Sequence, residues 1–421
     1  MYLMVFSQNN QRITNIEKRK TINHQLTTNN QNMSKHFETQ AIRTQTERSQ
    51  FSEHSTPLYL SSSFVFDDAE DMRASFAEEK ERNLYSRFTN PNTTEFVNKV
   101  VAMEGAEAGY AFATGMAAIF TSFAALLKAG DHIVSCSSVF GSTHAMFTKF
   151  LPKWNIKTTY FKVDEVDLLE SLIQENTKIL YIETPTNPAV DILDLERIGK
   201  IAKKHNLIYI VDNCFATPYV QQPITFGADL VIHSATKLMD GQGRVLGGIT
   251  VGNKELMHEI YIFARNTGPA MSPFNAWVLS KSLETLAIRV EKHAENALKV
   301  AEFLEKHPNV KMVKYPFLKS HPQHEIAKKQ MSLGGNIVAF EIKGGIEAGR
   351  TFLNNIKMCS LSANLGDTRT IVTHPSSTTH SKLAEKDRLE VGITDGLVRV
   401  SVGLENVADI ISDIAQALNA K

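Results

Sequence analysis

The chain has 421 residues, 43% of them hydrophobic, with 45 Lys+Arg balanced by 45 Asp+Glu. That length suits two domains with sizeable cores, and the charge balance leaves no electrostatic footprint for nucleic acid or an anionic membrane. Cys136, Cys214 and Cys359 are widely spaced with no CxxC pair, which argues against a disulfide framework or a structural zinc site and fits a reducing, cytoplasmic setting.

Residues 1–33 differ in composition from the rest of the chain, with seven Asn, four Gln, the basic run Lys18-Arg19-Lys20 and the single acid Glu17. Met1 to Phe6 is too short for a secretory signal. The segment reads as a disordered extension, or as a start placed too early, with Met33-Ser34-Lys35 as the beginning. From Phe64 to Asn98 the sequence is polar and loop-like around Tyr85-Ser86-Arg87-Phe88-Thr89-Asn90-Pro91-Asn92. Ala111 to Leu127 is the longest apolar stretch. Its Thr114, Gly115, Thr121 and Ser122 mark a strand end and a buried helix rather than a membrane span.

Strands then alternate with helix-period segments. The predicted strands are Tyr110–Ala113, His132–Ser135, Thr158–Lys162, Ile179–Glu183, Ile208–Asp212, Leu230–His233 and Gly248–Val251; helices are predicted over Glu165–Glu175 and Leu195–Lys204. The pattern describes an α/β fold, a mostly parallel sheet with helices on both faces. One long helix is predicted from Asn275 to about His307, leading into a smaller C-terminal α/β domain with strands near Ile337–Ile342 and Leu397–Ser401. The expected division is 1–33, an arm over 34–92, a main domain over 93–280 and a C-terminal domain over 281–421.

Chemistry concentrates at strand ends. Leu230 to Ile232 is an apolar run that ends in His233-Ser234-Ala235-Thr236-Lys237, followed by the loop Asp240-Gly241-Gln242-Gly243-Arg244. A lysine at the end of a buried strand is costly unless it has a partner or a task, and desolvation makes its amine a nucleophile for Schiff-base formation. Asp212 ends the preceding strand. A carboxylate for a pyridinium and a lysine for an aldehyde suit pyridoxal 5'-phosphate (PLP); a lysine that snorkels to water is the plain alternative. Gly115-Met116 opens a helix after the first strand, where backbone N–H groups suit a phosphate, and Ser234 and Thr236 can close the same anion site.

Tyr85 and Arg87 offer a phenol and a guanidinium fork to that phosphate, or are surface residues. In Glu183-Thr184-Pro185-Thr186-Asn187-Pro188, Asn187 can present its amide to a cofactor hydroxyl, or simply make an Asx-turn. Arg399 lies inside an apolar run and demands an anion, either a substrate carboxylate or a structural acid. His374 and His380 have no third ligand at a recognisable spacing, so no metal is expected.

Taken together, Tyr-Ser-Arg-…-Asn-Pro, Thr-Gly-Met-Ala-Ala, Glu-Thr-Pro-Thr-Asn-Pro, Val-Asp-Asn, His-Ser-Ala-Thr-Lys and Val-Arg-Val-Ser-Val-Gly-Leu-Glu resemble, in order, the Cys/Met-metabolism family of PLP enzymes. The resemblance runs from about Ser34 to Lys421. It implies the fold-type-I, aminotransferase-like architecture and the cofactor PLP. Lys237 would be the Schiff-base lysine, Asp212 the pyridinium partner, and Gly115, Met116, Ser234 and Thr236 the phosphate site. Arg399 would bind the substrate carboxylate. Tyr85 and Arg87 would serve a neighbouring subunit's phosphate, Tyr85 also assisting proton transfer, so that a dimer is the minimal unit and a tetramer the expected assembly.

Three departures narrow the reading. Phe140-Gly141 stands where many members have Tyr-Gly, so the ring can stack but offers no phenol. Asn364-Leu365-Gly366-Asp367 replaces Ser-Leu-Gly, which makes Asn364 a candidate substrate contact. The Asp240–Arg244 loop, with Gly268 to Trp277, is most similar to sulfhydrylases of O-succinylhomoserine. The reading is γ-replacement on an activated homoserine ester, with sulfide giving homocysteine in methionine biosynthesis. Arg244 is a candidate for the succinyl carboxylate, or for holding its loop through Asp240. Acetyl-ester use, cystathionine γ-synthesis, methionine γ-elimination and a non-catalytic PLP-binding role remain open alternatives.

Overall fold

The computed structural model describes residues 35–379, 381, 385–390 and 392–420. The expectations for residues 1–33 and for His380 fall outside them. A seven-stranded sheet is built from β1 (Ala108–Phe112), β2 (His132–Cys136), β3 (Lys157–Phe161), β4 (Thr177–Glu183), β5 (Ile208–Asp212), β6 (Leu230–His233) and β7 (Gly248–Gly252), in the order β1-β7-β6-β5-β4-β2-β3. β7 alone runs against its neighbours; the pairs β2–β3, β2–β4, β4–β5 and β5–β6 are parallel.

The strands are apolar throughout because both faces are covered. Leu180, Ile182, Tyr209, Val211 and Val231 enter one core, whereas Ile179, Tyr181, Ile210, Leu230 and Ile232 enter the other, the two-residue alternation of a pleated sheet. The helices that cover them include α1 (Pro91–Glu104), α2 (Gly115–Leu126), α3 (Leu195–Lys204), α4 (Lys254–Thr267) and α5 (Pro273–Leu283). Phe96, Val100 and Met103 of α1 join α3 and α5 on the first face, and Ile119 and Phe123 of α2 join Met257 and Ile260 of α4 on the second. The long apolar stretch is therefore β1 running into α2, as its hydroxyls and glycine suggest.

Three expectations are corrected. Residues 91–98 are not loop: Asn90 accepts a hydrogen bond from the Asn92 N–H and Pro91 occupies the first turn, so α1 starts there. A second helix, Ala69–Phe76, starts where Asp68 accepts from the Asp71 N–H. The segment Val163–Leu172 is a 3-10 run with Glu165 out of helical geometry, since it buries Leu169 and little else. The long helix is two, α5 and α6 (Leu286–Glu305), divided at Glu284 and Thr285. Glu284 pairs with the buried Lys99 of α1, while Arg289 takes the Ser282 carbonyl, which fixes the break.

Because of that break, α6 passes from one core to the next. Leu286 and Val290 pack with the first sheet, and Ala297, Val300, Ala301 and Leu304 pack with a second. This second sheet has five strands, β8 (Val310–Lys314), β9 (Ile337–Ile342), β10 (Ser360–Leu361), β11 (Ile371–Thr373) and β12 (Leu397–Ser401), in the order β10-β11-β12-β9-β8. Helices α7 (Gly345–Asn355) and α8 (Val407–Leu418) contribute Phe352, Ile410 and Ile414 to its core.

At the strand ends the backbone packs without room to spare. A Cβ at Gly248 would collide with the Thr114 carbonyl at the mouth of α2. Gly248→Ala should therefore lower stability by about 1–3 kcal/mol, the usual cost of overpacking, and a chemical-denaturation midpoint equal to that of the parent would refute the close approach.

Candidate active site

The carboxyl ends of β4, β5 and β6 meet at one edge of the large sheet, the edge at which α/β sheets bind ligands. They carry Glu183, Asp212 and His233. Lys237 follows β6 by four residues, and α2 begins beside it. Thr114 caps α2 by accepting the Ala117 N–H at 3.0 Å. A Cβ at Gly115 would stand 2.7 Å from that of Ser234 and 3.0 Å from its hydroxyl oxygen, so the helix start and the strand end share one small cradle. Met116 is the next residue of α2 and accepts the Thr143 hydroxyl through its sulfur at 3.8 Å. The Thr236 hydroxyl accepts the Gly247 N–H at 3.1 Å, which ties the lysine turn to the start of β7.

Lys237 Nζ donates to Asn364 Oδ1 at 2.6 Å. Burial lowers its basicity, the nearby Arg399 lowers it further, and Cys214 acts in the opposite sense. Asp212 is 6% exposed and accepts the Cys214 N–H at 3.0 Å and the Tyr181 hydroxyl at 3.3 Å. Burial pushes its carboxyl up to about 6 against the pull of the Cys214 amide and of His233. On the opposite face of the sheet, His233 Nε2 is 2.6 Å from Glu104 Oε1, which also accepts the Asn213 amide.

Arg399 on β12 brings the second sheet to this edge. Its Nη1 donates to Asn187 Oδ1 at 2.9 Å and its Nη2 to the Asn364 carbonyl at 3.2 Å, while its Nε is buried without a partner. Burial lowers its basicity to about 10, partly offset by Glu183. Both of its hydrogen bonds go to neutral oxygens, and Glu183 is the acid whose charge reaches it. Phe140 is 43% exposed at the same edge. Its N–H donates to Glu183 Oε2 at 2.7 Å.

Other expected residues lie elsewhere. The Arg244 Nε donates to Asp240 Oδ1 at 3.0 Å, and its Nη2 meets the Ser282 hydroxyl; the loop-holding reading is the one realised. Tyr85 is 42% exposed on the arm, and Arg87 there stacks on Phe88 at 4.7 Å and donates to the Arg265 carbonyl. His374 is consumed structurally, bonded to the Ser377 hydroxyl at 2.7 Å and the Asp395 carbonyl at 2.8 Å. No cluster of metal-ligating side chains occurs among the described residues, nor any helix long and apolar enough to cross a membrane.

Two site residues escaped the sequence reading. Glu183 was visible only as the last residue of a strand; that it faces the same edge as Asp212 is a matter of strand register. Arg289, on α6, donates to the Leu238 carbonyl at 2.7 Å and holds the turn after Lys237. Nothing in its local sequence signals that contact.

Residues 38–419 match the family model of the Cys/Met metabolism PLP-dependent enzymes. The chain belongs to this family. Its cofactor is accordingly pyridoxal phosphate. The chain is 44% identical over 384 residues to an O-succinylhomoserine sulfhydrylase of Pseudomonas aeruginosa, covering 91% of this chain and 95% of that one. It is 45% identical over 383 residues to an L-methionine gamma-lyase of Fusobacterium nucleatum subsp. polymorphum, covering 90% and 97%. A Campylobacter jejuni chain described as an O-acetylhomoserine (thiol)-lyase superposes with a TM-score of 0.88 at 34% identity, over 92% of this chain and all of that one. That structure contains N'-pyridoxyl-lysine-5'-monophosphate. The shared chemistry of the family is elimination or replacement in Cys/Met metabolism.

The raised Asp212 carboxyl has a consequence for cofactor-free protein. The folded state keeps the Asp212 proton to about pH 6, whereas the unfolded chain releases it near the ordinary value of 3.8. The unfolded state therefore gains stability relative to the folded one as pH rises through that window. Asp212→Asn removes this slope. Its stability relative to the parent should grow by about 1–3 kcal/mol between about pH 4 and pH 7. A pH-independent difference in chemical denaturation would contradict this.

Proposed function

We propose that the chain catalyses γ-replacement on O-succinylhomoserine with sulfide, giving homocysteine and succinate, as a step of methionine biosynthesis. The observation that carries this reading is Phe140, exposed at the site edge, where a phenol would be needed to protonate a poor leaving group. A carboxylate, whose acid has a pKa near about 4, leaves unaided; a thiolate, near about 8.5, needs an acid. An ester substrate suits this site better than the thioether of methionine.

The residues fit the cofactor. Lys237 is the amine that would carry it and Asp212 the carboxylate for its ring nitrogen. The Gly115–Ser234 cradle, with Met116 and Thr236, is the place for its phosphate, Asn187 for its hydroxyl and Phe140 for its ring face. Bound there, pyridoxal phosphate supplies an electron sink for charge that develops at the substrate Cα.

The remaining work falls to the chain. Arg399, with its unpartnered Nε, binds the substrate carboxylate. Lys237, released to a free amine, is held by Asn364 Oδ1 close to the same arginine, and takes and returns the protons at Cα and Cβ. Asn364 thus acts through the lysine in this reading, and through its backbone carbonyl on Arg399. Succinate leaves from Cγ as an anion, hydrosulfide adds there and keeps its proton as the product thiol, and Lys237 gives back the two protons it took from Cα and Cβ. Arg244, paired with Asp240, is left out of acyl recognition.

A shared site belongs to the same proposal. The arm exposes Phe51 (82%) and Val65 (87%) together with Tyr85 and Arg87, a surface suited to a second copy that receives the phenol and guanidinium at its phosphate. Dimer is the minimal unit and tetramer the expected assembly.

A second reading, methionine γ-elimination, is favoured by the 45% identity to the gamma-lyase. Purified enzyme offered O-succinylhomoserine, O-acetylhomoserine and methionine, each with sulfide, should release homocysteine chiefly from the succinyl ester. Methanethiol from methionine as the faster product would overturn the proposal. Phe140→Tyr should raise methionine elimination about tenfold or more relative to replacement, read as the ratio of 2-oxobutanoate to homocysteine.

A further inference from the structure

Glu183 and Asp212 are register partners on the adjacent parallel strands β4 and β5, so their carboxyl groups leave the sheet side by side on one face. They are 3% and 6% exposed. Two neighbouring carboxylates at that depth would require two countercharges. Their hydrogen bonds come from neutral donors instead. The Phe140 N–H serves Glu183, and the Cys214 N–H and Tyr181 hydroxyl serve Asp212.

The cations that face them point elsewhere. Arg399 directs both Nη atoms to Asn187 and Asn364, and Lys237 is turned to Asn364, while His233, on the opposite face of the sheet, is paired with Glu104. The other titratable neighbours are the Cys136 and Cys214 thiols and the Tyr181 phenol, all pushed up by burial and therefore uncharged at neutral pH.

We propose that the Glu183 carboxyl is neutral in the working enzyme, so that the pair carries a single negative charge, lodged on Asp212 opposite the cofactor's ring nitrogen. Glu183 is then a positioning residue with two tasks. Its protonated form leaves Asp212 the only anion at the ring nitrogen, and its Oε2 fastens the Phe140–Gly141 turn against the ring face. Burial first, and then the neighbouring Asp212, push its acidity far from the usual carboxylate range. The Phe140 and Asn187 N–H groups, and after them Arg399, oppose this; a substrate carboxylate bound to Arg399 cancels the last of these, so substrate binding strengthens the arrangement. The inference rests on the cofactor's place at Lys237 and Asp212 but not on the choice of acyl group.

The test is a pH titration of the visible absorbance of the lysine-bound cofactor, with the cofactor dissociation constant measured alongside. Glu183→Gln keeps the shape, the neutrality and the acceptor for Phe140. It should leave the apparent pKa of the band within about 0.3 unit and the dissociation constant within about twofold of the parent. Glu183→Leu removes the acceptor and should weaken cofactor binding about tenfold or more. If Glu183 were ionised, the Gln variant would lose a buried negative charge, and the band's pKa would fall by about one unit or more. That result overturns the proposal. Should the variants fail to fold, parent holoenzyme labelled with carbon-13 in its glutamate carboxyls must show a protonated carboxyl stretch in the infrared at neutral pH, and its absence overturns the proposal equally. A parent enzyme without the visible band would instead strike at the cofactor's place on Lys237.

Discussion

The hydrogen bond from Lys237 to Asn364 joins a strand end of the large sheet to a loop of the second, and the site depends on it. A buried amine needs an oxygen partner. Here it finds an amide carbonyl rather than a carboxylate, which orients the amine and holds its proton less firmly than a carboxylate would. Its basicity falls through burial, and the nucleophile or base is kept available. Arg399 repeats the arrangement from the other direction. It leaves β12, reaches Asn187 of the large domain and takes the backbone carbonyl of the same Asn364. Asn364 is thus the point where Lys237 and Arg399 are both registered.

The site is assembled from buried ionisable groups with neutral partners. Asp212 is held by an amide and a phenol, Glu183 by an amide, and Arg399 by two oxygens with its Nε free. Each group retains an unsatisfied share of its field, and all of them lie at the carboxyl edge of β4, β5 and β6. Such a site is costly to the folded protein alone and complementary to an anionic cofactor with a basic ring nitrogen and to an amino-acid carboxylate. The stability that it forgoes is supplied elsewhere, by the two apolar cores that sandwich the large sheet.

The loop after the lysine has a supporting role. Arg244 is tied to Asp240, Arg369 donates to the Gln242 carbonyl at 3.1 Å, and Arg289 holds the Leu238 carbonyl. The loop 240–244 and the segment that runs from Asn364 to Arg369 are therefore in contact with one another. Arg244 is taken up by Asp240 within the first segment, and Asn364 of the second meets Lys237.

The order of the strands, the cofactor, and the convergence of Lys237, Asp212 and Gly115 on one edge of the sheet were legible in the chain alone. Those signals are local: apolar runs ending in a charge, and a glycine at a helix start. The start of α1 at Asn90-Pro91 reads as loop, because its polar surroundings mask the cap. The break between α5 and α6 was not legible, because Glu284 at the break is held by Lys99 of α1, far away in sequence, and Arg289, which takes the Ser282 carbonyl, is itself anchored on the lysine turn. That Glu183 stands beside Asp212, that Asn364 meets the lysine, and that Arg244 turns to Asp240 emerges only in the folded molecule. Strand register and domain docking set these pairings, and neither leaves a trace in the spacing of residues along the chain.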